Sequence, residues 1–252
     1  MNWTTQCAAV IPCLNEAARI AEVVRGVRRH VPTVLVIDDG SQDGTGEVAK
    51  RAGAEVLRYE FPRGKGAALQ TGWEHARKNG FEWALTMDGD GQHSANDISA
   101  FFAAADETRA KLVVGNRMEK PDGMPRVRRW VNRWMSRRIS RLAGMPLPDS
   151  QCGFRLMNLR AWAGMPLNAA HFEIESDVLL SFARQGYPIE FVPIEVIYNT
   201  ERSKIHPLRD TMRWFRWWRR NARLPQVARE HSTLNIQQST PNGSPKLSLE
   251  RK

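Results

Sequence analysis

The stretch TVLVIDDGS, Thr33 to Ser41, decides the fold. Four apolar residues, Val34 to Ile37, run without a polar break and then give way to Asp38, Asp39, Gly40 and Ser41. A strand wet on one face would alternate, whereas a continuous run is buried on both faces, as in a parallel sheet covered by helices. The switch to carboxylates and glycine marks the strand's carboxyl end and a turn. The flanking segments repeat the pattern. CAAVIPCL is a short buried strand, and EAARIAEVVRGVRRH is a helix with Ile20, Val23, Val24 and Val27 on one face. Downstream come a short helix (GTGEVAKRAG), a third strand (AEVLRYE) and a helix that stops at Gly80 (GAALQTGWEHARKNG). A fourth strand (WALTMDGD), a helix capped by Ser94 or Asn96 and a fifth strand (KLVVGNR) complete the series. The class is therefore α/β, with a mostly parallel sheet flanked by helices. Sites in such sheets lie beyond the carboxyl ends of the strands, where Asp38, Asp39, Asp88 and Asp90 all fall.

The second half is less regular. A basic helix from about Arg126 to Leu142 precedes DSQCGFRLMN, a helical FEIESDVLLSFARQG and the strand IEFVPIEVIYN. HPLRDTMRWFRWWRRNAR follows, and residues 229–252 form a Ser-, Thr-, Gln- and Pro-rich tail expected to be disordered. No run approaches 18 apolar residues, so no membrane-spanning helix is expected. The N-terminus lacks the pattern of a secretion signal, and Cys7, Cys13 and Cys152 have no metal spacing, so reduced thiols in the cytoplasm are expected. The net charge of +10 is concentrated: 126–142 and 209–223 together hold thirteen arginines against the single acid Asp210. A near-neutral body thus carries two basic segments suited to a polyanion.

TMDGDGQH, Thr86 to His93, places two carboxylates one residue apart at a strand end. Mg²⁺ and Mn²⁺ prefer oxygen ligands and often take one or two carboxylates plus substrate phosphates. Glycines on both sides permit a tight turn and close ligand approach. Carboxylates beside glycines are equally a common turn signature.

The ordered series IPCLNE, VIDDGSQDGT, RGKGAALQTG and MDGDGQH resembles the family 2 glycosyltransferases of GT-A fold. GNR, DSQCGFR, FEIESD and VPIEVIYNTERSKI extend the resemblance to the dolichyl-phosphate mannose synthase and polyprenyl-phosphate sugar transferase subgroup, over roughly residues 6–212. It implies a Rossmann-like GT-A domain over 1–228, with a nucleotide-sugar half at 1–118 and an acceptor half at 119–228. It also implies that a sugar moves from a nucleoside diphosphate, with inversion, to a lipid-linked acceptor such as a polyprenyl phosphate. Pro12, Asn15 and Glu16 would line the base and ribose pocket, Asp39 would bond the nucleotide and Asp38 would support the turn. Lys65 would sit beside the nucleotide, Asp88 would face the donor, and Asp90, with Asp88, would hold Mg²⁺ or Mn²⁺ with Gln92 in support. His93 is as readily a neighbour of the ligands as a ligand itself. The family usually has alanine or another small residue between the aspartates, where this chain has Gly89. Arg117, Arg202 and Lys204 would meet the leaving group's charge, with Ser203 donating to a phosphate. Gln151 and Arg155 fall on the acceptor side.

A phosphate acceptor attacks as an anion, whereas a hydroxyl needs a general base. Glu173, Glu175 and Asp177 are the candidates, or they are simply exposed acids or hold neighbouring arginines. As a helix, 207–223 places Arg209, Arg213, Arg216, Arg220 and Arg223 within about 80° of arc. Leu208, Met212, Trp214, Phe215, Trp218 and Ala222 lie opposite. That is the pattern of a helix lying on an anionic membrane surface, which predicts a peripheral enzyme at the inner face of the cytoplasmic membrane. Packing of the apolar side on the protein's own body is the competing expectation. A nucleic-acid partner is not expected, because acidic strand ends would repel it.

Overall fold

The structure, a computed structural model, describes residues 1–119, 121, 123–165, 171–197 and 207–223. Seven strands form one sheet: β1 (Cys7–Cys13), β2 (Val34–Asp38), β3 (Glu55–Arg58), β4 (Trp83–Thr86), β5 (Leu112–Asn116), β6 (Arg155–Asn158) and β7 (Ile189–Pro193), in the order β3-β2-β1-β4-β6-β5-β7. The helices are α1 (Trp3–Gln6), α2 (Ile20–Arg28), α3 (Thr45–Arg51), α4 (Lys65–Lys78), α5 (Ile98–Thr108), α6 (Arg126–Ala143), α7 (Leu159–Trp162), α8 (Ile174–Arg184) and α9 (Pro207–Ala222).

The continuous apolar runs behave as expected. β1, β2, β4 and β5 are buried along their whole length. The face of α2 formed by Ile20, Val23, Val24 and Val27 is buried as well. α4 stops at Asn79, with Gly80 in the left-handed region at φ 86°, where a side chain would be strained. Within α4, a Cβ on Gly72 would lie 2.3 Å from Val10 Cγ1, so only glycine lets this helix settle on the sheet.

Crossovers carry the chain from β1 through β2 to β3 in one direction, then back across to β4. The reversal opens a crevice at the carboxyl ends of β1 and β4. Pro12 widens it. The β1–β4 ladder ends at Val10↔Thr86, and the next residue facing β4 is Pro12, which has no N–H to offer. The chain after Thr86 is thereby freed to carry Asp88 and Asp90 over the strand ends.

The sheet is mostly parallel, as expected, with one strand reversed. β6 runs antiparallel to both neighbours, β4 and β5. Its four residues RLMN contain no β-branched side chain, so they carry little strand signal. Residues after 118 also supply β6 and β7 to the same sheet as the first half.

α9 corrects the reading of its apolar side. Trp214 and Trp217 are 3% and 5% exposed, and they lie against the body rather than toward solvent. Trp214 Nε1 donates to Ser176 Oγ at 3.1 Å and Trp217 Nε1 to Asp177 Oδ1 at 2.9 Å, which ties α9 to the first turns of α8. Trp134 of α6 packs on Trp214 with ring centroids 5.5 Å apart. The buried stripe is Trp214, Trp217 and Asn221. Met212 (56% exposed) and Phe215 (41%) turn outward with the arginines. Leu208 and the tail 229–252 lie outside the residues whose side chains are described.

Candidate active site

The loops after β1 and β2 are laced together. Asn15, in the left-handed region at φ 53°, donates its N–H to Ser41 Oγ (2.9 Å), and its Oδ1 accepts from Gln42 N–H (2.9 Å). Glu16 N–H donates to Thr45 Oγ1 at 2.8 Å, and Asp38 Oδ1 accepts from Ser41 N–H at 2.8 Å. Arg58 Nε lies 3.6 Å from the other Asp38 oxygen. The bond from Ser41 N–H to Asp38 braces the turn after β2. Asp39 accepts Arg63 N–H (2.6 Å) and Gly64 N–H (2.9 Å), one on each oxygen. It thus anchors the loop that launches α4, and any hydrogen bond to a nucleotide must be made alongside these two or replace them. Pro12, Asn15, Glu16, Asp38 and Asp39 all gather at the carboxyl ends of β1 and β2.

Anchoring that loop sets the direction of Lys65, the first residue of α4. Its Nζ lies 2.6 Å from Asp88 Oδ1 and 2.7 Å from Glu175 Oε1. Burial works against its charge, but the two carboxylates outweigh it and hold the ammonium above its ordinary range. Burial likewise opposes ionisation of Asp88. Lys65, with His93 and Arg117 nearby, more than compensates and keeps the carboxyl below its usual range. Gly153 backs closely against this pair: a Cβ there would fall 2.7 Å from Asp88 Oδ2 and 3.0 Å from Lys65 Nζ, so the ion pair would have to shift. Glycine in CGF is therefore a site residue, legible only once Asp88 and Lys65 are seen to meet there.

Asp90 stands two residues on, and its Oδ1 accepts Gln92 N–H at 3.0 Å. Gln92 itself pairs through its carbonyl with Ile197 N–H. His93 is buried, and burial pushes its imidazole down to about 4, so it is neutral near pH 7. Gly89 has a local cause: a Cβ there would lie 2.5 Å from Cys13 Sγ. The larger Cys13 at the end of β1 takes the volume that a small side chain would fill. Gly89→Ala should therefore cost about 1–3 kcal/mol by overpacking. Cys13→Ala in the same chain should restore most of that loss in a thermal melt, and a double variant no more stable than the single would refute the coupling.

Arg117 is placed at the end of β5 but is committed to Asp149. Nε and an Nη donate to its two oxygens at 2.8 Å each, and the Arg117 N–H donates to it at 3.1 Å. Both residues are buried, so Arg117 fastens the 149–151 loop to β5, and its charge is already met. Arg155 is likewise internal. It donates to the carbonyls of Cys152, Ser150 and Glu175, fixing the loop against the start of α8. Gln151 reaches Ser176 Oγ at 2.9 Å. Glu173 precedes α8 and is half-buried. Arg202, Ser203 and Lys204 lie outside the described residues. Asp149, Ser176 and Trp217 had drawn no role from their sequence context.

The donor set fits a hard divalent cation only in part. Among the described residues no group of three or more His, Cys, Asp or Glu side chains is placed to hold a metal ion. Asp88 and Asp90 offer carboxylate oxygens alone, and Lys65 already sets a positive charge on Asp88. Two carboxylates on one turn suit Mg²⁺ or Mn²⁺ if phosphates and water complete the shell.

The profile of glycosyl transferase family 2 matches residues 8–162. This chain belongs to glycosyltransferase family 2. It is 29% identical to the UDP-N-acetylglucosamine–dolichyl-phosphate N-acetylglucosaminyltransferase of Methanococcus voltae, over 75% of this chain and 85% of that protein. It is 27% identical to the polyprenol monophosphomannose synthase of Mycolicibacterium smegmatis, over 76% and 77%. Its fold matches the glucosyl-3-phosphoglycerate synthase of Mycobacterium tuberculosis in complex with Mn²⁺, UDP-glucose and phosphoglyceric acid. The TM-score is 0.68 at 18% identity, covering 87% of this chain and 80% of that one. The glycosyltransferase thus has the GT-A fold, and its relatives include polyprenyl-phosphate sugar transferases.

Proposed function

We propose that this glycosyltransferase moves a sugar from a nucleoside diphosphate to a polyprenyl phosphate, with inversion at the anomeric carbon. One observation carries the choice of acceptor. Two of the three acids able to serve as general base are committed elsewhere: Glu175 to the Lys65 ammonium and Asp177 to the Trp217 indole. A hydroxyl acceptor needs a base, whereas a lipid phosphate arrives as an anion. The two relatives, a dolichyl-phosphate N-acetylglucosaminyltransferase and a polyprenol monophosphomannose synthase, point the same way.

In this reading Asp90 and Asp88 would hold Mg²⁺ or Mn²⁺. Such a cation supplies Lewis-acid stabilisation of the leaving nucleoside diphosphate. The loops of Pro12 to Glu16 and Asp38 to Ser41 shape the nucleotide pocket, with Gln92 supporting the Asp90 turn. Arg117, Arg155 and Gln151 position the acceptor-side loop through Asp149, backbone carbonyls and Ser176. Arg202, Ser203 and Lys204 keep their expected roles on the phosphates. Residues 1–118 serve the donor and 119–228 the acceptor.

The membrane face is the outer surface of α6 and α9. Val127 (75% exposed) and Trp130 (67%) of α6 and Met212 and Phe215 of α9 are exposed apolar side chains on these arginine-rich helices, and no described helix is long and apolar enough to cross a membrane. Peripheral attachment to an anionic leaflet follows, with the aromatics at headgroup depth.

The test incubates the enzyme with labelled UDP- and GDP-sugars and polyprenyl phosphate. A lipid-extractable product that releases its sugar in mild acid is expected, as for a sugar joined through a phosphodiester. An acid-stable lipid glycoside would overturn the phosphate acceptor.

A further inference from the structure

Lys65 joins two carboxylates from different parts of the chain. Asp88 comes from the turn after β4 and Glu175 from the first turn of α8, and one ammonium bonds both at 2.6 and 2.7 Å. All three are largely withdrawn from water: their side chains are 16% (Lys65), 25% (Asp88) and 6% (Glu175) exposed. The arrangement is built from several sides. Asp39 fixes the backbone that delivers Lys65, through Arg63 and Gly64 N–H. Arg155 holds the Glu175 carbonyl at 2.6 Å, and a Cβ at Gly153 would crowd the pair. Without Lys65, Asp88 and Glu175 would face each other as partly buried like charges with Asp90 close by. A cation belonging to the chain thus offsets part of the pocket's negative charge in advance.

We propose that Lys65 is a built-in counter-cation that disfavours a divalent cation arriving alone and makes cation and nucleotide binding mutually dependent. The inference rests on the metal reading of Asp88 and Asp90 given above. A divalent cation at Asp88 competes with the ammonium for the same carboxylate, and the two positive charges repel at short range. A nucleoside diphosphate changes the balance, because its phosphates give the ammonium a new partner while they ligate the cation. Glu175 is the second anchor. It draws Lys65 partly off Asp88, so its loss should leave the ammonium on Asp88 alone. The two substitutions therefore push cation binding in opposite directions, which a loss of fold would not do.

The experiment titrates Mn²⁺ into the full chain by calorimetry, alone and with UDP or GDP, for wild type, Lys65→Met and Glu175→Gln, each checked by a thermal melt. For wild type, Mn²⁺ alone should bind weakly, and nucleotide should tighten it by about tenfold or more, a typical coupling between linked ligands. Lys65→Met should bind Mn²⁺ alone about tenfold more tightly than wild type and lose most of the coupling to nucleotide. Glu175→Gln should bind Mn²⁺ alone more weakly than wild type. If Lys65→Met binds Mn²⁺ alone no better than wild type while nucleotide still tightens Mn²⁺ in both, the counter-cation role is wrong and the metal reading stands. If Mn²⁺ fails to bind wild type even with nucleotide, the metal reading falls and this inference falls with it.

Discussion

Asp90→Ala is expected to reduce sugar transfer by about 10³-fold, because a lost cation ligand forfeits several kcal/mol of charge stabilisation and each 1.4 kcal/mol is about tenfold in rate. The fold should survive. Asp90 sits on a turn outside β4, half-buried, and its described bond is from Gln92 N–H in the same turn. Losing that bond should cost about 1 kcal/mol, a small change in melting temperature. Nucleotide binding should lose its dependence on Mn²⁺, while binding without Mn²⁺ should change little. Asp88→Ala is a less clean probe, since it also strips Lys65 of one of its two partners. Wild-type turnover in Asp90→Ala, or full activity in excess EDTA, would remove Asp90 from the metal.

The parts of this protein legible in the sequence are those whose signal is local. Val34 to Ile37 is a buried strand because four consecutive apolar residues can be satisfied only between two layers of helices. The carboxylates at strand ends were legible for the same reason, since the break from apolar to acidic marks where the sheet stops. β6 was illegible because RLMN is short and polar at both ends, and its antiparallel place between β4 and β5 depends on long-range pairing. The partnerships in the site were illegible for a similar reason. Nothing near Lys65 in the chain predicts Glu175, which lies 110 positions on, and nothing near Arg117 predicts Asp149. Exposed and buried arginines also look identical in a sequence. Arg117 and Arg155 turned out to be internal fasteners, because each found fixed oxygens to bond. α9 shows how amphipathicity misleads: its period is clear, but tryptophan suits a core as well as a lipid headgroup.

Trp214→Ser should therefore destabilise the protein in the absence of any lipid. The indole is 3% exposed, packs on Trp134 and Trp217, and donates to Ser176 Oγ. Removing a buried aromatic of this size costs about 3–5 kcal/mol. At roughly 2–4 °C per kcal/mol for a chain of this length, the melting temperature should fall by roughly 6–20 °C. The exposed residues predict the reverse pattern. Trp130→Ser with Phe215→Ser should leave the melting temperature nearly unchanged, since surface substitutions are usually within about 0.5 kcal/mol. The same double variant should lose most binding to anionic liposomes, because each inserted aromatic contributes about 1.5–3 kcal/mol. Added salt should weaken wild-type binding without abolishing it, since the arginine contribution is screened and the apolar one is not. Melting curves and liposome co-sedimentation separate the two faces of α9. If Trp214→Ser melts like wild type, the helix does not dock on α8 as described. If the Trp130 and Phe215 variant still sediments fully with liposomes, the outer surface of α6 and α9 is not the membrane face.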